Sequence, residues 1–236
     1  HRFLGLILFL TGSLSLPAVR PIADPPTAFN RQWADRFFSP PSVSAACESP
    51  VARHGGTLPF SFVYGGRPVS QLVGRWQAVV HRQNAGSDKE LRILTLTDPE
   101  TGLELRAEAA IYADTGGVDW TLYFTNRGTK DTPIIEQVQA VDVAVVPKVK
   151  REPILHRLHG SSSDELDWLP LADRLSPGSP IEFGPLGEQA NSSSGACPFF
   201  NLQWQGGGVI TAIGWTAPWR AKVERNGDGS LRLQAG

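Results

Sequence analysis

Residues 199–204 (FFNLQW) and 209–215 (VITAIGW) are two runs of aromatic and β-branched residues, and residues 205–208 (QGGG) join them. Such residues favour strands, and a short connection rich in glycine is typical of a β-hairpin. Two tryptophans, Trp215 and Trp219, follow at the end of the second run. The stretch therefore predicts a β-hairpin, and it sets the expectation of a β-sheet protein for the chain around it.

The chain between residues 58 and 146 has the same character. Its strand-like runs begin at Leu58, Leu91, Leu103, Val118 and Ile134. Residues 98–102 (DPETG) between two of them have the composition of a type I turn with a bulge. The spacing of these runs is typical of an antiparallel meander. From His156 onwards regular strands are expected to be fewer and loops more frequent.

Length and composition set the outer limits. A chain of 236 residues with 41% hydrophobic residues can bury a large core. The net charge is −1, from 22 lysines and arginines against 23 aspartates and glutamates. Because there is no basic surplus and no charge run, the composition argues against nucleic acid and anionic membranes as partners.

The N-terminal residues have the composition of a secretory signal peptide. Arg2 precedes an apolar run at residues 3–10, which is too short to span a bilayer, and small residues follow it. We predict a signal peptide at residues 1–18 and a secreted or periplasmic protein without a membrane anchor after cleavage. A buried strand is the alternative for this segment.

Residues 19–57 are predicted to form a short helix and a linker. Phe29, Trp33 and Phe37 recur with a spacing of four within residues 26–38, as on one face of a helix, and the proline- and serine-rich residues 39–57 follow. Residues 58–236 are assigned to one large β-sandwich domain. Because the chain begins with His1 and contains no methionine, we expect the natural protein to extend beyond it.

Cys47 and Cys197 are the two cysteines of the chain. A disulfide bond between them would close a long loop and would stabilise an exported protein by about 3–5 kcal/mol. Two free, buried thiols are the alternative, and the spacing of the cysteines does not decide between them.

The residue types that carry catalysis or bind metals do not form a recognisable pattern. Asp164, Glu165 and Asp167 lie in one serine-rich segment, where carboxylates usually form turns or face solvent. His156 and His159 are close in sequence but lack the spacing of a metal motif. We therefore assign no catalytic residue, no metal and no cofactor to this chain.

Three stretches carry a resemblance to a known family. They are residues 59–66 (PFSFVYGG), residues 124–136 and residues 195–219, and a His159-Gly160-Ser161 segment followed by residues 164–170 (DELDWLP) adds to them. Over residues 58–236 the chain resembles the N-terminal β-sandwich domain of family 36 glycoside hydrolases, the α-galactosidase (melibiase) type. The resemblance implies an all-β fold, a large two-sheet antiparallel sandwich like that of galactose mutarotases.

The resemblance also implies where the chemistry takes place. In this family a (β/α)8 barrel follows the sandwich and performs retaining hydrolysis of α-galactosides. Such a reaction needs two carboxyl groups about 5 Å apart, and we expect the family's pair to lie in a barrel that this chain lacks. The implied partner is an α-galactoside carbohydrate bound through the missing barrel, and the family also forms homo-oligomers.

Three functions follow as alternatives. The chain is an ancillary domain that supports a catalytic barrel and shapes its substrate pocket, or a carbohydrate-binding module on its own, or a purely structural sandwich. Three candidate sugar-contacting residues are Trp168, Trp215 and Trp219, because aromatic rings stack on the apolar faces of sugars. The fourth is Asp167, because the resemblance places its loop near the active-site face of the barrel. The serines at residues 192–194 are expected near the same face. Tryptophans packed into the sandwich core are the alternative for Trp215 and Trp219.

Overall fold

The computed structural model describes residues 2–12, 33–35, 37–38, 58–145, 151–161, 163–187 and 190–236. Strands dominate these residues, as the sequence predicts. They are β1 (Arg2–Gly12), β2 (Ser61–Tyr64), β3 (Arg67–Pro68), β4 (Gln77–Asn84), β5 (Lys89–Thr97), β6 (Leu103–Tyr112), β7 (Gly117–Asn126), β8 (Ile135–Gln139), β9 (Val141–Val145), β10 (Ile154–Leu158), β11 (Pro170–Arg174), β12 (Ile181–Phe183), β13 (Phe199–Trp204), β14 (Gly207–Ile213), β15 (Ala221–Arg225) and β16 (Leu231–Ala235). Two single 3-10 turns, Val69–Gln71 and Val73–Arg75, lie between β3 and β4.

The strands are arranged in a large sheet and two smaller ones. The large sheet has the order β11-β10-β13-β14-β1-β7-β6-β5-β4. The second sheet has the order β12-β15-β16-β9, and the third has the order β3-β2-β8. The named strand pairs are antiparallel throughout. The predicted meander is confirmed for β5, β6 and β7, whereas β8 and β9 leave the large sheet and join the other two.

Alternating side chains of the large sheet form one half of the core. In β6 the buried positions include Leu103, Leu105 and Ala107, and in the neighbouring β7 they include Val118 and Trp120. This period of two follows from the pleat, which points successive side chains to opposite faces of the sheet. The buried face of the large sheet is therefore continuous across its middle strands.

The second sheet supplies the other half of the core. Its strands bury Val143, Val223 and Leu233, which belong to the same hydrophobic cluster as the inward residues of the large sheet. Phe183 of β12 meets Phe200 of β13 edge to face, with ring centroids 5.0 Å apart. These contacts confirm the predicted two-sheet antiparallel sandwich.

A helical segment from the region predicted as helix and linker is packed into this core. Residues 33–35 and 37 are helical, and Trp33 lies 5.5 Å from the ring of Trp120. Asp35 of the helix pairs with the buried guanidinium of Arg92, with 2.7 Å between Oδ1 and Nη1. The helix is therefore part of the hydrophobic core of the sandwich.

The segment predicted as a signal peptide forms a strand in this structure. β1 pairs with β14 on one side, where Leu8 faces Thr211, and with β7 on the other, where Leu6 faces Trp120. This is the alternative that the sequence left open. Among the described residues, no helix is long and apolar enough to cross a membrane.

The structure also tests the predicted turns. The turn at residues 98–102 is confirmed: Gly102 N–H donates to the carbonyl of Asp98 at 2.9 Å, and the φ of Gly102 is +78°. The hairpin is confirmed with a tighter turn than expected, because β14 already begins at Gly207 and Trp204 faces Gly207. The expectation of fewer regular strands and more loops from His156 onwards is confirmed: β10 to β16 have three to seven residues each, whereas β4 to β7 have eight to ten. Several of these strands are only three to five residues long, which makes their pattern hard to read.

Candidate functional site

Two loops that contain predicted site residues meet at one end of the large sheet. The tryptophan loop, residues 159–169, connects β10 to β11, and the N–H of His159 donates to the carbonyl of Leu169 across its base at 3.0 Å. The serine loop, residues 190–197, leads into β13. Because β10 and β13 are neighbours, the N–H of Cys197 reaches the carbonyl of Leu158 at 3.1 Å. The order of the strands therefore places the two loops side by side.

Ser161 connects the two loops. Its N–H donates to the carbonyl of Ser193 at 2.8 Å. The preceding residue, Gly160, is buried against the same carbonyl: a Cβ added to Gly160 would lie 1.9 Å from Ser193 O and 2.6 Å from the nitrogen of Ala196. Only glycine permits this approach of the two backbones.

Asp167 holds the tryptophan loop together from within. Its carboxylate oxygen Oδ2 accepts a hydrogen bond from the hydroxyl of Ser161 at 3.1 Å and another from the N–H of Ser163 at 3.2 Å. The N–H of Asp167 donates to the carbonyl of Asp164 at 3.2 Å. The sequence predicts Asp167 as a direct sugar contact, and the structure shows its carboxylate engaged within the loop.

Trp168 is exposed and has an unusual backbone conformation. It has a φ of +63°, and 53% of its surface is accessible. A non-glycine residue in the left-handed region costs about 1–3 kcal/mol, and such residues are concentrated at functional sites. Leu166 and Leu169 on either side are exposed as well. The tip of the tryptophan loop is therefore an apolar surface with a tryptophan ring in it.

Trp219 lies at the same end of the molecule, but within the core. Only 2% of its surface is accessible. Its indole N–H donates to the carbonyl of Ser192 at 2.8 Å and approaches the hydroxyl of that serine at 3.1 Å, and its ring packs edge to face on Phe183. A ring in this position has no free face for a sugar, in contrast to the sequence-based prediction. Trp219 instead holds the serine loop in place through its hydrogen bond to Ser192.

Trp215 is half-buried beyond the end of β14 and packs against the hydrophobic core. The next residue, Thr216, accepts a hydrogen bond at its carbonyl from the N–H of Ser192 at 3.1 Å. The segment that carries Trp215 and Trp219 therefore touches the serine loop, which in turn touches the tryptophan loop. The structure thus brings all four predicted residues to one end of the sandwich.

Some residues of this region escape sequence reasoning. Leu186 is 70% exposed, and its side chain lies so close to Gly195 that a Cβ there would be 2.4 Å from Leu186 Cγ. Its N–H donates to the carbonyl of Ser194 at 2.9 Å. An isolated leucine after a Gly-Pro pair gives no signal of such a position in the sequence. Leu186 therefore adds an exposed apolar side chain beside the serine loop.

The other candidate groups have local roles. Asp164 accepts a hydrogen bond from the N–H of Leu166 at 2.8 Å, as a turn-forming aspartate does, and His156 is hydrogen-bonded to Gln203 across two strands. In the described part of the chain, no three His, Cys, Asp or Glu side chains lie close enough together to hold a metal ion.

Cys197 of the serine loop is buried, and burial raises the pKa of its thiol. It forms no disulfide bond with any described residue. Cys47 lies outside the described residues, so the pairing of these two cysteines stays a prediction.

Comparisons with known proteins find the likeness in structure only. No family model and no curated protein matches this sequence. The structure matches the GH36 α-galactosidase AgaA from Geobacillus stearothermophilus with a TM-score of 0.52 and 13% identity, covering 78% of this chain and 27% of that one. A variant of AgaA in complex with raffinose gives a TM-score of 0.51 and 14% identity, with 79% and 28% covered.

The chain shares the fold of part of these enzymes. It spans about a quarter of their length. The expected likeness to the N-terminal sandwich of family 36 glycoside hydrolases is therefore confirmed at the level of fold.

Proposed function

We propose that this chain is the ancillary β-sandwich of an α-galactosidase-like glycoside hydrolase. In this role it supports a catalytic barrel and lends loops to the rim of the substrate pocket, and the barrel supplies the catalytic carboxylates. The shared fold with AgaA supports the role, because this chain corresponds to only about a quarter of that enzyme. The raffinose complex of an AgaA variant supports an α-galactoside as the substrate class.

The exposed ring of Trp168 is the observation that carries the contact with substrate. A folded protein gains stability by burying a tryptophan, yet this one is 53% exposed and sits at a strained φ. The apolar leucines around it give a surface on which a sugar ring or an apolar part of the barrel can pack. In this proposal Asp167 does not contact the sugar but maintains the conformation of the tryptophan loop, since its carboxylate is hydrogen-bonded to Ser161 and Ser163.

The test uses the full-length enzyme encoded by the reading frame that contains this chain. We expect Trp168→Ala to raise KM for raffinose about tenfold with little change in kcat, because the variant loses one stacking contact with the substrate. Val79→Ala is the matched control, because Val79 is also about half exposed but lies on β4 at the far edge of the large sheet. A reading frame without a barrel, or kinetics that Trp168→Ala leaves unchanged, would contradict the proposal.

A carbohydrate-binding module that acts alone is the second candidate, and the exposure of Trp168 favours it over a purely structural sandwich. It predicts that the isolated chain binds raffinose or galactose. The measurement is a titration followed by tryptophan fluorescence, with Trp168→Phe as the comparison. A signal that depends on Trp168 supports binding by this domain, and a silent titration supports the structural alternative.

Export is a further part of the proposal, and it rests on the composition of residues 2–18. The pairing of β1 with β7 and β14 is the observation against cleavage, because removal of the predicted signal peptide, residues 1–18, would remove that strand from the sheet. N-terminal sequencing of the protein from the medium or periplasm distinguishes the two. A mature N-terminus beyond residue 12 supports export with cleavage, and a retained β1 supports the strand.

A further inference from the structure

We propose that Gly160 and Ser161 are positioning residues that lock the tryptophan loop to the serine loop, so that the location of the Trp168 ring is set by the serine loop. The role of this arrangement in sugar binding rests on the function proposed above. The arrangement itself is a feature of the backbone and can be tested without a ligand.

The first part of the lock is a close contact of two backbones. The backbone of Gly160 is not in the left-handed region. Glycine is needed at this position because there is no space for a Cβ. An added Cβ would meet Ser193 O at 1.9 Å, well inside any permitted contact. Neither contacting atom belongs to a flexible side chain, so any larger residue must push the two loops apart.

The second part is a chain of hydrogen bonds through Ser161. Its N–H is bonded to Ser193 and its hydroxyl is bonded to Asp167, the residue directly before Trp168. Ser161 thus connects the serine loop to the tip of the tryptophan loop through two hydrogen bonds. Because the backbone conformation at Trp168 is strained, the loop needs such external contacts to hold it.

The third part is the rigidity of the serine loop. Ser192 is fixed by the indole N–H of the buried Trp219 and by the carbonyl of Thr216, and Ser194 accepts a hydrogen bond from Leu186. The serine loop is therefore fixed to the core of the sandwich. The tryptophan loop is attached to it through Gly160 and Ser161, and a change at this joint is expected to move the Trp168 ring while the core stays in place.

The experiment uses the chain labelled with 5-fluorotryptophan, in which each of the seven tryptophans gives one ¹⁹F resonance. Trp168→Phe and Trp120→Phe identify two of them. In Gly160→Ala we expect the Trp168 resonance to shift or broaden, while that of Trp120, in the middle of β7, stays in place and reports an intact fold. Gly227→Ala is the matched control, because a Cβ there meets no atom within 4 Å and Gly227 has no positive φ.

Ser161→Ala is a second, milder variant. It removes the hydroxyl bond to Asp167, introduces no clash and keeps the backbone N–H that bonds to Ser193. We expect it to move the Trp168 resonance in the same direction as Gly160→Ala and by a smaller amount. A Trp168 resonance that is unchanged in both variants would overturn the proposal, and so would equal shifts in Gly227→Ala.

A raffinose titration of the same samples separates this proposal from the proposed function. If wild-type protein responds to raffinose, we expect the apparent Kd to rise by up to about tenfold in Gly160→Ala, which corresponds to the loss of one aromatic contact. Equal affinity of the variant and wild type would overturn the positioning role. If no sample responds to raffinose but the Trp168 resonance shifts as expected, the lock is supported and sugar binding by this domain is contradicted.

Discussion

Trp219 and Trp168 are connected to the same serine loop, yet they differ in nearly every physical respect. Trp219 is 2% exposed, has its indole N–H bonded to Ser192 and packs on Phe183. Trp168 is 53% exposed and has a φ of +63°. Burial of the first tryptophan stabilises the sandwich, whereas the left-handed backbone at the second carries a steric cost. This difference fits the proposed function, in which Trp168 contacts a sugar or the barrel and Trp219 stabilises the fold.

The strongest test of this comparison is Trp219→Ala. We expect it to lower the free energy of unfolding by about 3–5 kcal/mol, because it leaves a large cavity and removes the support of Ser192. Urea denaturation followed by circular dichroism measures this loss. Trp219→Phe keeps most of the ring but lacks the N–H, and about 1–3 kcal/mol is expected for the unbonded carbonyl. A loss below about 1 kcal/mol for Trp219→Ala would remove the distinction between the two tryptophans.

The predictable part of this structure is the part with strong periodic patterns. The runs beginning at Leu91, Leu103 and Val118 alternate or are rich in β-branched residues, and they form β5, β6 and β7 nearly as expected. The hairpin at residues 199–215 is equally clear. These segments are long, and their period of two directly reflects the pleat of a half-buried sheet.

The roles of the site residues were less accessible to sequence reasoning. Whether a tryptophan is buried depends on which strand lies above it, and nothing near Trp219 in the sequence indicates Phe183 or Ser192 as its neighbours. The strain at Trp168 likewise depends on bonds made by Ser161 and Asp167 within the loop. The residues predicted from the sequence do lie at one end of the molecule, but one of them, Trp219, is a core residue.

The second test concerns the strain at Trp168. We expect Trp168→Gly to be more stable than Trp168→Ala by about 1 kcal/mol, because glycine adopts a φ of +63° without steric cost and alanine does not. Thermal unfolding of the two variants measures the difference, and both are expected to lose any dependence of sugar binding on this position. If the alanine variant is the more stable one, the backbone conformation at residue 168 is not strained in solution.

The smallest expected effect on stability concerns two carboxylates, Asp119 in the large sheet and Asp167 in the tryptophan loop. Asp119 of β7 is partly buried, and desolvation raises its pKa, although Tyr112 donates a hydrogen bond to it at 2.8 Å. A carboxyl with a raised pKa binds its proton more tightly in the folded state, so its contribution to stability is present at low pH and is lost as pH rises through the folded pKa. Asp119→Asn removes this dependence and keeps an oxygen for Tyr112.

We therefore expect Asp119→Asn to be more stable than wild type at pH 7, with a difference that shrinks as the pH falls from the raised pKa of Asp119 towards the ordinary pKa of aspartate. Asp167 of the tryptophan loop provides the contrast, because its carboxylate accepts two hydrogen bonds in a loop that faces solvent. Asp167→Asn is expected to lower stability at pH 7, since the amide replaces a charged acceptor. Unfolding curves of both variants at pH 4 and pH 7 measure these differences. Opposite signs at pH 7 would show that burial governs the carboxylate in the sheet and hydrogen bonding governs the one in the loop, whereas equal signs would contradict that division.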